Sequence, residues 1–163
     1  MVLKTVLLGL LVFFISETFG QTDTDKANKT ASLIIRHHGG LSYINDDFSS
    51  FYGGRILLPA SSNKRFGLTY SKFSNQDKNN FYSMGIILEA NFLKHVNSSI
   101  GTIGYFNYEN SGKNLAGITT NTGWQPNINE IFKPYIAYRS DFIFDNKLET
   151  IQSFYIGVDI VLR

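Results

Sequence analysis

Three histidines, thirteen acidic residues and a scatter of serines are the side chains in this 163-residue sequence that could bind a metal or carry catalysis. Their spacing supports neither. His37 and His38 are adjacent, and neighbours in an extended chain point to opposite faces, so they cannot chelate one ion together. Asp46, Asp47 and Asp77 lack the ligand spacing of a calcium loop. Tyr52-Gly53-Gly54-Arg55 lacks the longer glycine spacing of a phosphate cradle, and its two glycines read as a bend in a strand. A serine nucleophile needs an imidazole within hydrogen-bond reach and an acid to orient it. His95 and Ser98 stand three apart in a segment that reads as a turn. Cysteine is absent, which excludes disulfides, thiolate metal sites, cysteine nucleophiles and a lipid-modified N-terminal cysteine. No catalytic residue, cofactor-binding residue or metal ligand is therefore assigned, and no cofactor is expected.

The remaining charges are more informative. Arg36, Arg55, Glu89, Arg139, Asp141 and Asp159 occur singly, with both signs, inside segments that alternate. In the C-terminal stretch SFYIGVDIVLR, Phe154, Ile156, Val158, Ile160 and Leu162 take every second place. Ser153, Tyr155, Gly157 and Asp159 fall between them. A strand turns successive side chains to opposite faces, giving one apolar face and one small-or-charged face. The same period marks residues 31–38, 51–58, 65–73, 81–92, 99–109, 115–124 and 132–144. Residues 39–50 read as the longest polar connection, and 145–149 as the turn into the last strand. Asn110-Ser111-Gly112-Lys113-Asn114 reads as a hairpin turn. Short connections leave no room for parallel crossovers. The fold expected is an all-β, closed antiparallel up-and-down (meander) barrel of about eight strands, since closure removes both exposed edges.

Composition agrees. Aromatics are 15% of the chain and charged residues 17%, the latter below the roughly 25% of an ordinary soluble domain. A net charge of +2 with no run of Lys or Arg gives no reason to expect nucleic acid. Residues 1–20 read as a secretory signal peptide: Lys4 precedes an apolar run from Val6 to Ile15, and Thr18-Phe19-Gly20 closes it. Residues 21–30 are polar and aperiodic, a flexible lead-in. Residues 31–163 form the barrel domain.

Alternation does not say which face is inside. A soluble lipocalin-like barrel would keep its apolar face inward around a small apolar ligand, and a membrane barrel keeps it outward. The membrane version suits a polar face built from Gly, Ser, Asn and Tyr with isolated charges that can pair across a narrow lumen. It also suits Phe66, Tyr70, Tyr82, Phe92, Trp124, Phe144 and Phe154 as an interfacial girdle near the ends of the apolar faces. With its export signal, lack of cysteine, about eight alternating segments and the endings FKPYIAYRSDFIF and SFYIGVDIVLR, the chain resembles the small bacterial outer-membrane β-barrel proteins. It departs from them in finishing on Leu162-Arg163, where they carry an aromatic residue read by the assembly machinery. The resemblance implies export to the outer membrane of a Gram-negative bacterium, with the lipid bilayer and the outer-membrane assembly machinery as partners. The role expected is a non-enzymatic one in the envelope, structural, adhesive or of minor permeability, with a lipid-modifying outer-membrane enzyme as the alternative. Some barrels of this group deacylate or acylate lipid A. His95-Val96-Asn97-Ser98 is superficially similar to the His-x-Ser-Asn motif of the deacylases, with the order broken, and a turn histidine is the reading adopted.

One pairing is expected from register. Placing Arg139 opposite Asp159 in the lumen also sets Phe144 opposite Phe154 and Ile136 opposite Leu162. Charge then meets charge and apolar meets apolar. This requires a connection running through Glu149.

Overall fold

The structure, a computed structural model, describes residues 32–61, 63–74, 80–93, 95–108, 112–126, 128 and 130–162. The expected signal peptide and lead-in lie outside the described residues. Eight strands follow in order: β1 (Leu33–Ile44), β2 (Asp47–Pro59), β3 (Lys64–Ser74), β4 (Asn80–Leu93), β5 (Val96–Tyr108), β6 (Lys113–Trp124), β7 (Phe132–Phe144) and β8 (Leu148–Leu162). Each pairs antiparallel with the next, and β8 pairs with β1 from Leu33↔Leu162 to Tyr43↔Gln152, closing the barrel. No helix occurs among the described residues. The strands run 11 to 15 residues, enough for a tilted strand to cross a hydrocarbon layer, which takes about 9–11.

Inward and outward positions alternate along the strands, with breaks at the irregularities after Asn91 in β4 and between Tyr105 and Tyr108 in β5. The β2 sequence Phe51 to Leu57 shows it: Phe51, Arg55 and Leu57 are buried, while Tyr52 and Ile56 are exposed. The outward set is mainly apolar and aromatic. Leu41, Ile56, Leu68, Met84, Ile86, Ile136 and Ile156 are among its exposed members, and so is every residue of the expected aromatic girdle. The apolar face is the outer one.

Strand ends move by a few residues, so that Val96 to Ser98 belong to β5 and Lys113 and Asn114 to β6 rather than to the expected turns. Two larger expectations change. Residues 39–50 are a hairpin rather than a polar connection: β1 continues to Ile44, and only Asn45 and Asp46 lie between it and β2. Both have positive φ, 47° and 67°, the pair of left-handed positions of a type I′ turn, which Asn and Asp tolerate well. Tyr43 Oη donates to the Asp46 carboxylate at 3.0 Å. Gly39-Gly40 interrupts the hydrophobic alternation, and for that reason the segment reads as a loop. Gly40 stands opposite Tyr155, and any side chain there would run into the β8 backbone. The second change is at the other end of the chain. β8 begins at Leu148, and Phe144 pairs with Leu148 across a three-residue connection.

Candidate functional site

The lumen is where the polar chemistry of this chain collects. Arg36 on β1, Arg55 on β2, Glu89 on β4, Arg139 and Asp141 on β7 and Asp159 on β8 all point inward and are 2% exposed or less. Three cations and three anions are fully enclosed, and a partly exposed fourth cation, Arg65 on β3, lies 3.8 Å from Glu89 Oε1. A buried charge is tolerated only when paired and hydrogen-bonded, and these are.

Arg36 is the hub. Its Nη1 lies 2.6 Å from Glu89 Oε2, and its Nε and Nη2 grip the Asp159 carboxylate at 2.5 and 2.8 Å. The latter is the two-pronged geometry in which a guanidinium binds a carboxylate most strongly. Gln125 Nε2 donates to Asp159 Oδ2 at 2.7 Å, and the Arg36 guanidinium lies 4.3 Å from the Tyr135 ring centre. Gly157 makes this possible, because a β-carbon there would strike the Tyr135 ring. Arg55 stands directly opposite Arg36 in the β1–β2 register, a like-charge contact that Glu89 relieves from across the lumen, 3.9 Å from Arg55 Nη1. Arg55 Nη2 also donates to Tyr155 Oη at 2.9 Å, which donates to Asn121 Oδ1 at 2.5 Å.

The second group is Arg139 with Asp141. Arg139 Nε donates to Asp141 Oδ1 at 2.8 Å, and Nη1 to Ser71 Oγ at 2.9 Å. Tyr105 Oη donates to the same carboxylate. The expected Arg139–Asp159 pair does not form. Both residues are buried in the lumen, but Arg139 stands opposite Ser153, and Asp159 opposite Lys133 on β7 and opposite Arg36 on β1. The tight β7–β8 connection slides the register by six residues from the expected one. An even slide keeps every side chain on its face while changing every partner. Ile136 accordingly meets Ile156 rather than Leu162.

Beyond these charges, the end of the lumen away from the chain termini is filled with rings. Phe51 stacks on Phe73 with centroids 5.5 Å apart, and Phe73 on Phe81 at 4.7 Å. Tyr108 packs edge-on to Phe81 at 5.1 Å and donates to Glu149 at 2.8 Å. Ile103, Ile143 and Ile151 join this cluster. At the termini end, Ile34, Leu57, Ile87 and Val161 form a smaller apolar layer. The charge groups lie between two apolar layers.

The histidines sit apart from any catalytic arrangement. His37 points outward at mid-strand, opposite Gly54 and Val158. His38 points inward against the rings of Tyr155 and Phe51, at 4.9 and 5.8 Å. They occupy opposite faces, and mid-strand rather than next to a loop. His95 lies at the β4–β5 turn with Nδ1 3.2 Å from the Gln125 carbonyl, while Ser98 Oγ contacts Thr122 Oγ1. Among the described residues no group of three His, Asp or Glu side chains is placed to hold a metal ion. The polar partners Gln125, Tyr135, Tyr155 and Asn121 escape a reading based on charges alone. Tyr155 carries a signal, its place in the polar register of β8. Gln125 carries none.

No protein-family model and no curated protein matches the sequence. The fold, a closed eight-stranded antiparallel meander, matches that of small bacterial outer-membrane β-barrels of known structure. The chain is similar to the N-terminal β-barrel domain of Pseudomonas aeruginosa OprF, with a TM-score of 0.61 at 14% identity over 79% of this chain and 97% of that one. It is also similar to Neisserial surface protein A, with a TM-score of 0.55 at 14% identity over 80% and 96%. A de novo designed transmembrane β-barrel matches at a TM-score of 0.52 and 11% identity, over 80% and 95%.

Proposed function

We propose that this chain is a non-enzymatic integral barrel of a Gram-negative outer membrane, with a structural role in the envelope. Residues 1–20 direct its export, and the outer-membrane assembly machinery inserts it. The observation that carries this reading is the inverted burial. An outer band rich in Leu, Ile, Phe and Tyr, interrupted on β5 and β6 by Thr102, Thr120 and Thr122, surrounds a lumen enclosing three fully buried arginines and three carboxylates. In water that band would be a large exposed apolar patch encircling the molecule, whereas in a bilayer it is the solvated face. A soluble carrier of an apolar ligand would need the opposite arrangement.

The filled lumen supports a structural role over a conducting one. Eight strands leave room only for side chains, and here the charge groups and the stacked rings occupy it. The connections are short at both ends, the longest being the seven residues 125–131, so an adhesive surface built from extended loops has little support. The test is liposome flotation of the refolded chain. It should float with the vesicles and require detergent when they are absent. Recovery as a monodisperse soluble species without detergent would overturn the proposal.

A further inference from the structure

The outer face of β2, β3 and β4 is ordered in rows across the three strands. From the rim furthest from the termini downward, the register aligns Ser50, Ser74 and Asn80, then Tyr52, Lys72 and Tyr82. Below come Gly54, Tyr70 and Met84, then Ile56, Leu68 and Ile86, and last Leu58, Phe66 and Leu88. Hydroxyl and amide groups thus give way to a cation between two tyrosines, then to aliphatic side chains. Lys72 is singular in this setting. Beyond the first residue of a strand, it is the only Lys, Arg, Asp or Glu at an outward position of the eight strands among the described residues. Its Nζ lies 6.0 Å from the Tyr52 ring centre and 5.8 Å from that of Tyr82. Tyr82 in turn stacks on Tyr70 at 6.3 Å. No carboxylate is present in these rows to neutralise it.

We infer that this face is a binding site for an anionic phospholipid, with Lys72 meeting the headgroup phosphate. The inference rests on the bilayer reading above. A strand rises about 3.3 Å per residue and tilts about 45° in a membrane barrel. Lys72, two residues from the end of β3, therefore sits about 5 Å below the rim, at headgroup depth. Flanking tyrosines are suited to that depth because their ring is apolar and their hydroxyl polar. They also hold the ammonium from either side. Ser50, Ser74 and Asn80 offer further polar groups to a headgroup above the lysine. The Ile56, Leu68 and Ile86 row, about 9 Å below it, receives the acyl chains. A cation with no other charge in these five rows gives the site its preference for an anionic lipid, since one basic residue near a membrane surface contributes about 1 kcal/mol to such binding.

Native mass spectrometry from detergent, with equal phosphatidylglycerol and phosphatidylcholine added, tests it. The wild-type chain should retain phosphatidylglycerol preferentially. Lys72→Gln should lower that preference about fivefold, and Lys72→Arg should keep it. Excess inorganic phosphate should not displace the retained lipid, and displacement would assign the site to free phosphate and overturn the lipid. Liposome flotation of each variant separates the two levels of the argument. If Lys72→Gln floats like wild type and retains the same lipid preference, the site is rejected while the membrane reading stands. If the wild-type chain does not float, both fall.

Discussion

Toward the chain termini the lumen is crossed by Arg36, Arg55, Glu89 and Asp159, and toward the far rim it is filled by Phe51, Phe73, Phe81, Tyr105 and Tyr108. Arg139 and Asp141 sit where the two regions meet, with the Arg139 guanidinium 5.8 Å from the Phe73 ring centre. The two halves solve one problem, filling a narrow barrel, by opposite means. Ring packing is broad in its demands and tolerates exchange among shapes of similar volume. A buried guanidinium tolerates less, because its donors need acceptors at fixed angles: those of Arg36 are met by two carboxylates, and of those of Arg55 only Nε goes without. The charged half therefore specifies partners. Arg36 and Asp159 face each other across the seam between the first and last strands, so the ion pair lies on the junction that closes the barrel.

The largest expected effect follows from that position. Asp159→Ala strips Arg36 of its two-pronged partner and should destabilise by about 3–5 kcal/mol in urea unfolding from vesicles. Asp159→Asn, which keeps the shape, should cost nearly as much. In a double-mutant cycle the Arg36→Ala and Asp159→Ala effects should fall well short of additive. Those of Arg139→Ala and Asp159→Ala, which share no contact, should add. Coupling in the second cycle with none in the first would mean that the partners are misassigned.

Phe73→Ala probes the other half and should cost about 3 kcal/mol from lost packing and the cavity left behind. Phe73→Leu should recover most of that loss. If the leucine variant is as damaged as the alanine one, the rings are as exacting as the charges, and the contrast between the halves fails.

Ile156→Arg moves the comparison to the outer wall. Ile156 is 63% exposed and sits beside Gly39 and Ile136. An arginine there should cost about 2–4 kcal/mol if this row lies near the bilayer midplane. The same residue type is required inside at position 36 and penalised outside at 156. A neutral or stabilising outcome would contradict an outward apolar face in contact with lipid.

These contrasts also mark how far the sequence could be read. Which face most residues take was legible, because strand period depends only on parity, and it failed where an irregularity shifts that parity, as at Tyr108, which period places outward and which lies in the lumen. The six isolated charges read as lumen residues are all buried there. The interior rings were less visible because aromatics count as apolar. Yet Phe51-Tyr52, Phe81-Tyr82 and Tyr105-Phe106 are adjacent pairs, and adjacency in a strand forces one ring inward and one outward. Partners were harder still. Register depends on the number of residues in each turn, and the composition of residues 145–149 suggested a longer connection than the one that forms. The Arg36–Asp159 contact joins residues 123 apart. Nothing local in either strand announces it, since it follows from strand number and stagger together.

The smallest effect belongs to the rim, outside the lumen. Asp145 lies in the β7–β8 connection and contacts Lys113 Nζ at 3.4 Å. A backbone hydrogen bond from Asn146, more than the lysine, holds its carboxyl below the usual carboxylate range. A lowered folded-state value means that the ionised form favours the folded barrel. Its contribution is present above the unfolded value of about 3.9 and is lost as pH falls through the lower folded value. The pair is exposed and screened by salt, so the effect should be slight. Wild type should exceed Asp145→Asn in stability by a small constant margin near neutrality, and the margin should close on acidification below about pH 4. Every other side chain is common to the two proteins, so subtracting the two curves isolates Asp145. A margin that stays constant into acid, or widens there, would show that the rim carboxylate does not act through its charge.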